Sequence, residues 1–167
     1  MVPVTIDSVR VSLVSQHRLI VLREQGGNRC LPIYIGAFEA EAITFRLQGA
    51  AAARPMTHDL LKHVIGQMGG ELLRVVIVDL RKDTFYADIY VRRNGEEVAI
   101  DARPSDAVAL AVRSDIPVFV AESVMDSAAI EPDPTPWSEA GGVAAPGEDM
   151  SVFRDFIDSL DIDDLEH

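Results

Sequence analysis

Alternation with a period of two dominates the first 35 residues. Val9, Val11 and Leu13 alternate with polar partners, which predicts a strand. HRLIVL (17–22) is apolar on both faces and suits a central strand. After a turn at Gly26-Gly27-Asn28, the segment CLPIYIG places Leu31, Ile33 and Ile35 on one face. Pro32 cannot donate to a ladder, so this strand lies at an edge or begins late.

Helical spacing takes over at Ala37, where Phe38 and Ala42, and Ile43 and Leu47, fall four apart. The run from Gly49 to Ala53 breaks that helix. THDLLKHVIGQMGG predicts a second one. Thr57 reads as its N-cap, Asp59 as a first-turn acid, and Leu60, Leu61, Val64, Ile65 and Met68 as its apolar face. Gly69-Gly70 ends it. Strands return in LLRVVIVDL (72–80) and TFYADIYV (84–91), and Asn94-Gly95 predicts a tight hairpin into EEVAID (96–101). Pro104 fits the first turn of a helix reaching about Arg113, followed by a strand IPVFV and a helical turn around Val124 and Met125. Residues 131–149, with PDPTPW and EAGGVAAPGED, form an acidic Pro/Gly-rich linker. Residues 150–164 form a short amphipathic helix on that tether, with Phe153, Phe156, Ile157 and Leu160 at helical spacing.

A shift of 65 residues sets IYIGAFEAEAITFRL (33–47) against VAIDARPSDAVALAV (98–112), pairing Glu41 with Asp106. The same shift aligns Val11 and Leu13 with Val76 and Val78. The expected fold class is therefore α+β. It consists of a duplicated strand-strand-strand-helix unit with mixed or antiparallel sheets packed against helices, spanning 1–130, plus a tethered C-terminal helix.

Length and charge refine this picture. A chain of 167 residues fits one domain with a small appendage. The net charge of −12 is unevenly spread: residues 1–130 carry 16 acidic and 14 basic side chains, while 131–167 carry 11 acids and only Arg154. The core is thus nearly neutral and lacks the basic stripe that usually marks nucleic-acid binding. Thirteen of the fifteen basic residues are arginine, which suits bidentate phosphate contacts and equally reflects codon usage. The single Cys30 excludes an internal disulfide and a cysteine-cluster metal site. No apolar run is long enough for a transmembrane helix, and the first residues do not resemble a secretory signal, so a reducing cytoplasm is expected. Leu165-Glu166-His167 reads as the beginning of a histidine tag and is set aside.

No Walker A loop, GxGxxG, HExxH or GxSxG is present. The chemistry that remains lies in four clusters. In IGAFEAE, Glu39 and Glu41 point about 200° apart on a helix, so one can reach a site and the other faces elsewhere. Both better suit a helix N-terminus, where acids complement the dipole. In THDLLKH, Asp59 and His63 share a face, so the carboxylate can orient the imidazole, with His58 beside them; His58 and Asp59 equally suit a solvated first turn, and His63 reads rather as a solvated side chain. In DARPSDAVALAV, Asp101, Arg103 and Asp106 gather at a strand-to-helix turn that can grip a phosphate or merely brace the fold. In VDLRKDTFYADIY, Tyr86 and Tyr90 share a strand face and can stack bases or cover a sheet.

LPIYIGAFEAEAI, RPMTHDLLKHVI, DLRKDTFYADIYV and DARPSDAVALAV together resemble the bifunctional nuclease family over roughly residues 5–130, and FRDFIDSL resembles the tail helix of its bacterial members. The resemblance implies hydrolysis of DNA and RNA phosphodiesters and a self-associating α+β protein. By motif match the implied catalytic residues are His58, Asp59, Asp101 and Asp106. Arg103 and Tyr86 would bind substrate, and Glu39 and Glu41 would hold Mg²⁺ or Mn²⁺. The competing expectation is a non-catalytic oligomeric binding or regulatory module in which Arg103 and its neighbouring acids brace the fold.

Overall fold

The computed structural model describes residues 1–11, 17–50 and 52–131. In chain order these form β1 (Val2–Val11), β2 (Arg18–Glu24), β3 (Cys30–Ile35), α1 (Ala37–Leu47), α2 (Thr57–Gln67), β4 (Gly70–Arg81), β5 (Thr84–Arg93), β6 (Glu96–Ala102), α3 (Pro104–Ser114), β7 (Val118–Val120) and α4 (Glu122–Ala128). The expected linker beyond Glu131 and the helix 150–164 lie outside the described residues.

The strands make one seven-stranded mixed sheet in the order β3-β2-β1-β7-β4-β5-β6. Every pairing is antiparallel except β4 with β7. Two three-strand meanders thus flank β7, and a helix follows each of them. Pro32 sits in β3 at one edge, opposite Val21, where its missing N–H costs the sheet nothing on the open side. Both tight hairpins of the second meander use two residues with positive φ: Lys82 and Asp83, then Asn94 and Gly95. That geometry matches the sheet's twist.

One face of the sheet carries the core. Ile20, Leu22, Leu31, Ile33, Val75, Ile77, Ala87, Ile89, Val118 and Val120 pack against Ile43 of α1 and Val108 and Leu110 of α3. Helix α3 lies between α1 and α2 and is buried over most of its length. Arg113 ties the three together from a side chain only 3% exposed. It donates to the carbonyls of Ala109 and Ala42, both at 3.0 Å, and pairs through Nε with Asp59 Oδ1 at 3.2 Å.

Helix α2 departs from the sequence expectation twice. Its N-cap is Met56, not Thr57, and the Asp59 carboxylate accepts the Met56 backbone N–H at 2.9 Å. Its apolar stripe is broader than its contact. Ile65 packs on the core, whereas Leu60, Leu61, Val64 and Met68 remain exposed, because α2 makes its main contacts with α3 and β4. Gly66 lies near the end of α2, and an added Cβ there meets nothing within 4 Å. Gly66→Ala is therefore expected to stabilise the protein by about 0.5–1 kcal/mol, read as a higher urea midpoint with unchanged slope.

Candidate functional site

Two strand-to-helix turns and one loop-to-helix turn converge. Chain direction reverses after β3 at Gly36, the N-cap of α1, and after β6 at Arg103, the N-cap of α3. Pro104 occupies the first helical position of α3, where its fixed φ is preorganised and its missing N–H is not needed. Counting from each start, Glu39 and Asp106 are both third residues. The two helices therefore correspond at an offset of 67 rather than 65, and Glu39, not Glu41, stands where Asp106 stands.

The side chains form a continuous line. Arg103 pairs with Glu39 through Nη2 and Oε1 at 2.9 Å and donates from Nε to Asp106 Oδ2 at 2.6 Å. The other oxygen of Asp106 lies 3.4 Å from Nε2 of His58, the second residue of α2. Asp106 thus holds a guanidinium with one oxygen and an imidazole with the other. The Arg103 side chain is 67% exposed, while His58 is 11% exposed and Glu39 19%. Asp106, then Glu39, strengthens the hold of the Arg103 guanidinium on its proton. The first turns of three helices meet here, and their positive ends favour negative charge.

Gly36 makes room for this arrangement. A Cβ there would stand 2.2 Å from Glu39 Oε2, so the carboxylate folds back over bare backbone. The requirement is close approach, since φ at Gly36 is an ordinary −69°.

Of the residues expected from sequence, Glu39, His58, Arg103 and Asp106 come together. Glu41 points to solvent, as the 200° separation requires. Asp59 serves the α2 cap and Arg113 instead of orienting His63, which is exposed. Asp101 and Tyr86 are not brought to the line. By strand alternation they share the opposite face of the sheet, Asp101 across from Asp88 and the Tyr86 ring 4.8 Å from the Arg81 guanidinium. Sequence reasoning missed Arg113 and Gly36. Gly36 was detectable as the only residue between the end of β3 and the start of α1.

The donor set does not fit a divalent cation. Glu39 and Asp106 are both occupied by Arg103, whose guanidinium fills the place between them. Among the described residues, no three His, Cys, Asp or Glu side chains are grouped to hold a metal ion. The expectation that Glu39 and Glu41 form a metal site therefore has no geometric support.

A family profile described as the bifunctional nuclease domain matches residues 20–133, which include every residue of this line. The chain belongs to the bifunctional nuclease domain family. Uncharacterized protein Rv1829 of Mycobacterium tuberculosis is 39% identical over 164 residues, covering 98% of this chain and 97% of its own. Bifunctional nuclease 2 of Arabidopsis thaliana is 30% identical over 108 residues, covering 62% of this chain and 33% of the plant protein. Bifunctional nuclease 2 of Oryza sativa subsp. japonica is 31% identical over 109 residues, 63% of this chain and 34% of its own. The match thus spans about a third of the length of each of these plant relatives. Among the described residues no helix is long and apolar enough to cross a membrane.

Proposed function

We propose that this chain hydrolyses phosphodiester bonds of DNA or RNA at the Glu39–Arg103–Asp106–His58 line. The observation that carries the reading is one carboxylate, Asp106, bonded to both an exposed guanidinium and a shielded imidazole where three helix N-termini meet. A substrate phosphate exchanges with Glu39 for the outer face of Arg103, helped by the positive helix ends. With Nε2–H donating to Asp106, the His58 lone pair lies on Nδ1, which takes a proton from water. The water oxygen bonds to phosphorus, one phosphorus–oxygen ester bond breaks, and the imidazolium returns the proton to the leaving oxygen. Asp106 keeps the ring oriented and stabilises its charged form, as the acid of a catalytic triad does. Family membership supports the substrate class.

A second reading is favoured by the two carboxylates that satisfy Arg103: a non-catalytic binding or regulatory module in which this line is a brace. Magnitudes separate the two. Ion pairs of so exposed a side chain contribute about 0–1 kcal/mol, so Arg103→Ala leaves stability nearly unchanged under either reading. Catalysis instead loses a positioned cation, which costs about 10²- to 10³-fold. The test is cleavage of labelled single- and double-stranded DNA and RNA by purified wild type and Arg103→Ala, with Mg²⁺, Mn²⁺ or EDTA. The nuclease reading expects cleavage that survives EDTA and drops at least a hundredfold in the variant. Cleavage equal in both proteins would point to a contaminant and leave the brace.

A further inference from the structure

The exposed cation of the line is already answered twice. Arg103 meets Glu39 Oε1 at 2.9 Å through Nη2 and Asp106 Oδ2 at 2.6 Å through Nε. One guanidinium against two carboxylates leaves an excess of negative charge, so an incoming phosphate is repelled until one carboxylate moves. Asp106 is held from both sides, by Arg103 and by His58 at 3.4 Å. Among the described residues Glu39 pairs with Arg103 alone, so Glu39 is the group that can yield. Its seat is purpose-built in one respect. Gly36 has a φ of −69°, which any residue adopts, so the turn itself does not call for glycine. The glycine is needed by the side chain above it, because an added Cβ would stand 2.2 Å from Glu39 Oε2 and 3.0 Å from its Cδ.

We propose that Glu39 is an internal competitor: its carboxylate takes the place of a phosphate on Arg103, keeps free phosphate out of the site and yields to a nucleotide chain. The nucleotide chain as substrate rests on the nuclease reading; the competition does not. Carboxylate and phosphate make the same charge-assisted contacts with a guanidinium. Free phosphate has only those contacts with which to displace Glu39. A polynucleotide brings further phosphates and bases, and binding made away from the reacting phosphorus offsets the displacement. Phe38, next to Glu39 in the chain and 84% exposed, offers such a contact to an unstacked base. Selection of this kind uses a repulsive group against the wrong ligand as well as attraction to the right one. It also reverses the sign expected of Glu39: removing a metal ligand weakens a site, whereas removing a competitor strengthens it.

The test is titration of inorganic phosphate into wild type, Glu39→Gln and Gly36→Ala, read from the rise of the thermal melt with phosphate concentration. Both variants are expected to bind phosphate about fivefold more tightly than wild type, the upper end of what a pair this exposed holds back. Gly36→Ala keeps the charge of Glu39 and only pushes aside the far end of a flexible side chain, so its gain assigns the effect to position. Adding Arg103→Ala to Glu39→Gln is expected to abolish the gain. Phosphate is also expected to inhibit oligonucleotide cleavage by both single variants at about one-fifth of the concentration that inhibits wild type. Unchanged or weaker phosphate binding in either folded single variant overturns the proposal, as does a gain that survives the loss of Arg103. The nuclease reading fails separately, on equal cleavage by wild type and Arg103→Ala, which leaves the phosphate titration to decide this proposal by itself.

Discussion

Replacing Arg113 with methionine is expected to lower stability by about 3 kcal/mol, read from the urea midpoint. The guanidinium is almost wholly buried and serves three helices at once: its own through Ala109, α1 through the Ala42 carbonyl, and α2 through Asp59. Breaking a buried ion pair from one side usually costs 3–5 kcal/mol, because the remaining partner is left uncompensated. The lower end applies here because Asp59 is 36% exposed and keeps access to water. Methionine preserves most of the packing, so the loss reports the polar contacts. Arg113→Lys is expected to recover little of it, since one ammonium cannot reproduce a fork that reaches a carbonyl on one helix and a carboxylate on another. A loss below 1 kcal/mol would mean that the helices hold their places without this junction.

His58→Ala is expected to reduce cleavage by about 10²- to 10⁴-fold, the range for removing a general base. Stability changes less, because the imidazole's described polar contact is a long one to Asp106 at 3.4 Å. The fall should appear in kcat, since phosphate capture rests on Arg103 and the helix ends. Asp106→Asn is expected to lower cleavage through His58: an amide can still meet the ring but no longer fixes the tautomer that leaves the lone pair on Nδ1. A variant with unaltered cleavage would restrict Asp106 to holding Arg103.

Local chemistry explains what the sequence made legible. Pro32 marked an edge strand, Asn94-Gly95 marked a hairpin, and Pro104 marked the start of α3, each because one residue restricts its own backbone. The hairpin at Lys82-Asp83 uses the same positive φ without glycine, so composition gave no comparable signal. Four members of the line were visible as residues at helix starts, but not as a line. Glu39 and Arg103 are joined by the packing of α1 on α3, and His58 reaches Asp106 only because α2 packs on the same helix. The same long-range packing turned Asp59 toward Arg113, an arginine that the sequence offers only as a favourable charge at a helix C-terminus. Asp101 and Tyr86 lie apart from the line for a simpler reason: strand alternation puts them on the sheet face opposite Ile100 and Phe85, away from the helices. The outward stripe of α2 shows the reverse limit, because periodicity reveals an apolar face and not which neighbour covers it.

The most direct measurement is a double-mutant cycle on cleavage, comparing kcat/KM for wild type, His58→Ala, Arg103→Ala and the double variant. If His58 and Arg103 act as one site through Asp106, each single variant loses at least a hundredfold and the double falls little below the weaker single. Four equal rates, or losses that simply multiply, would contradict a shared site.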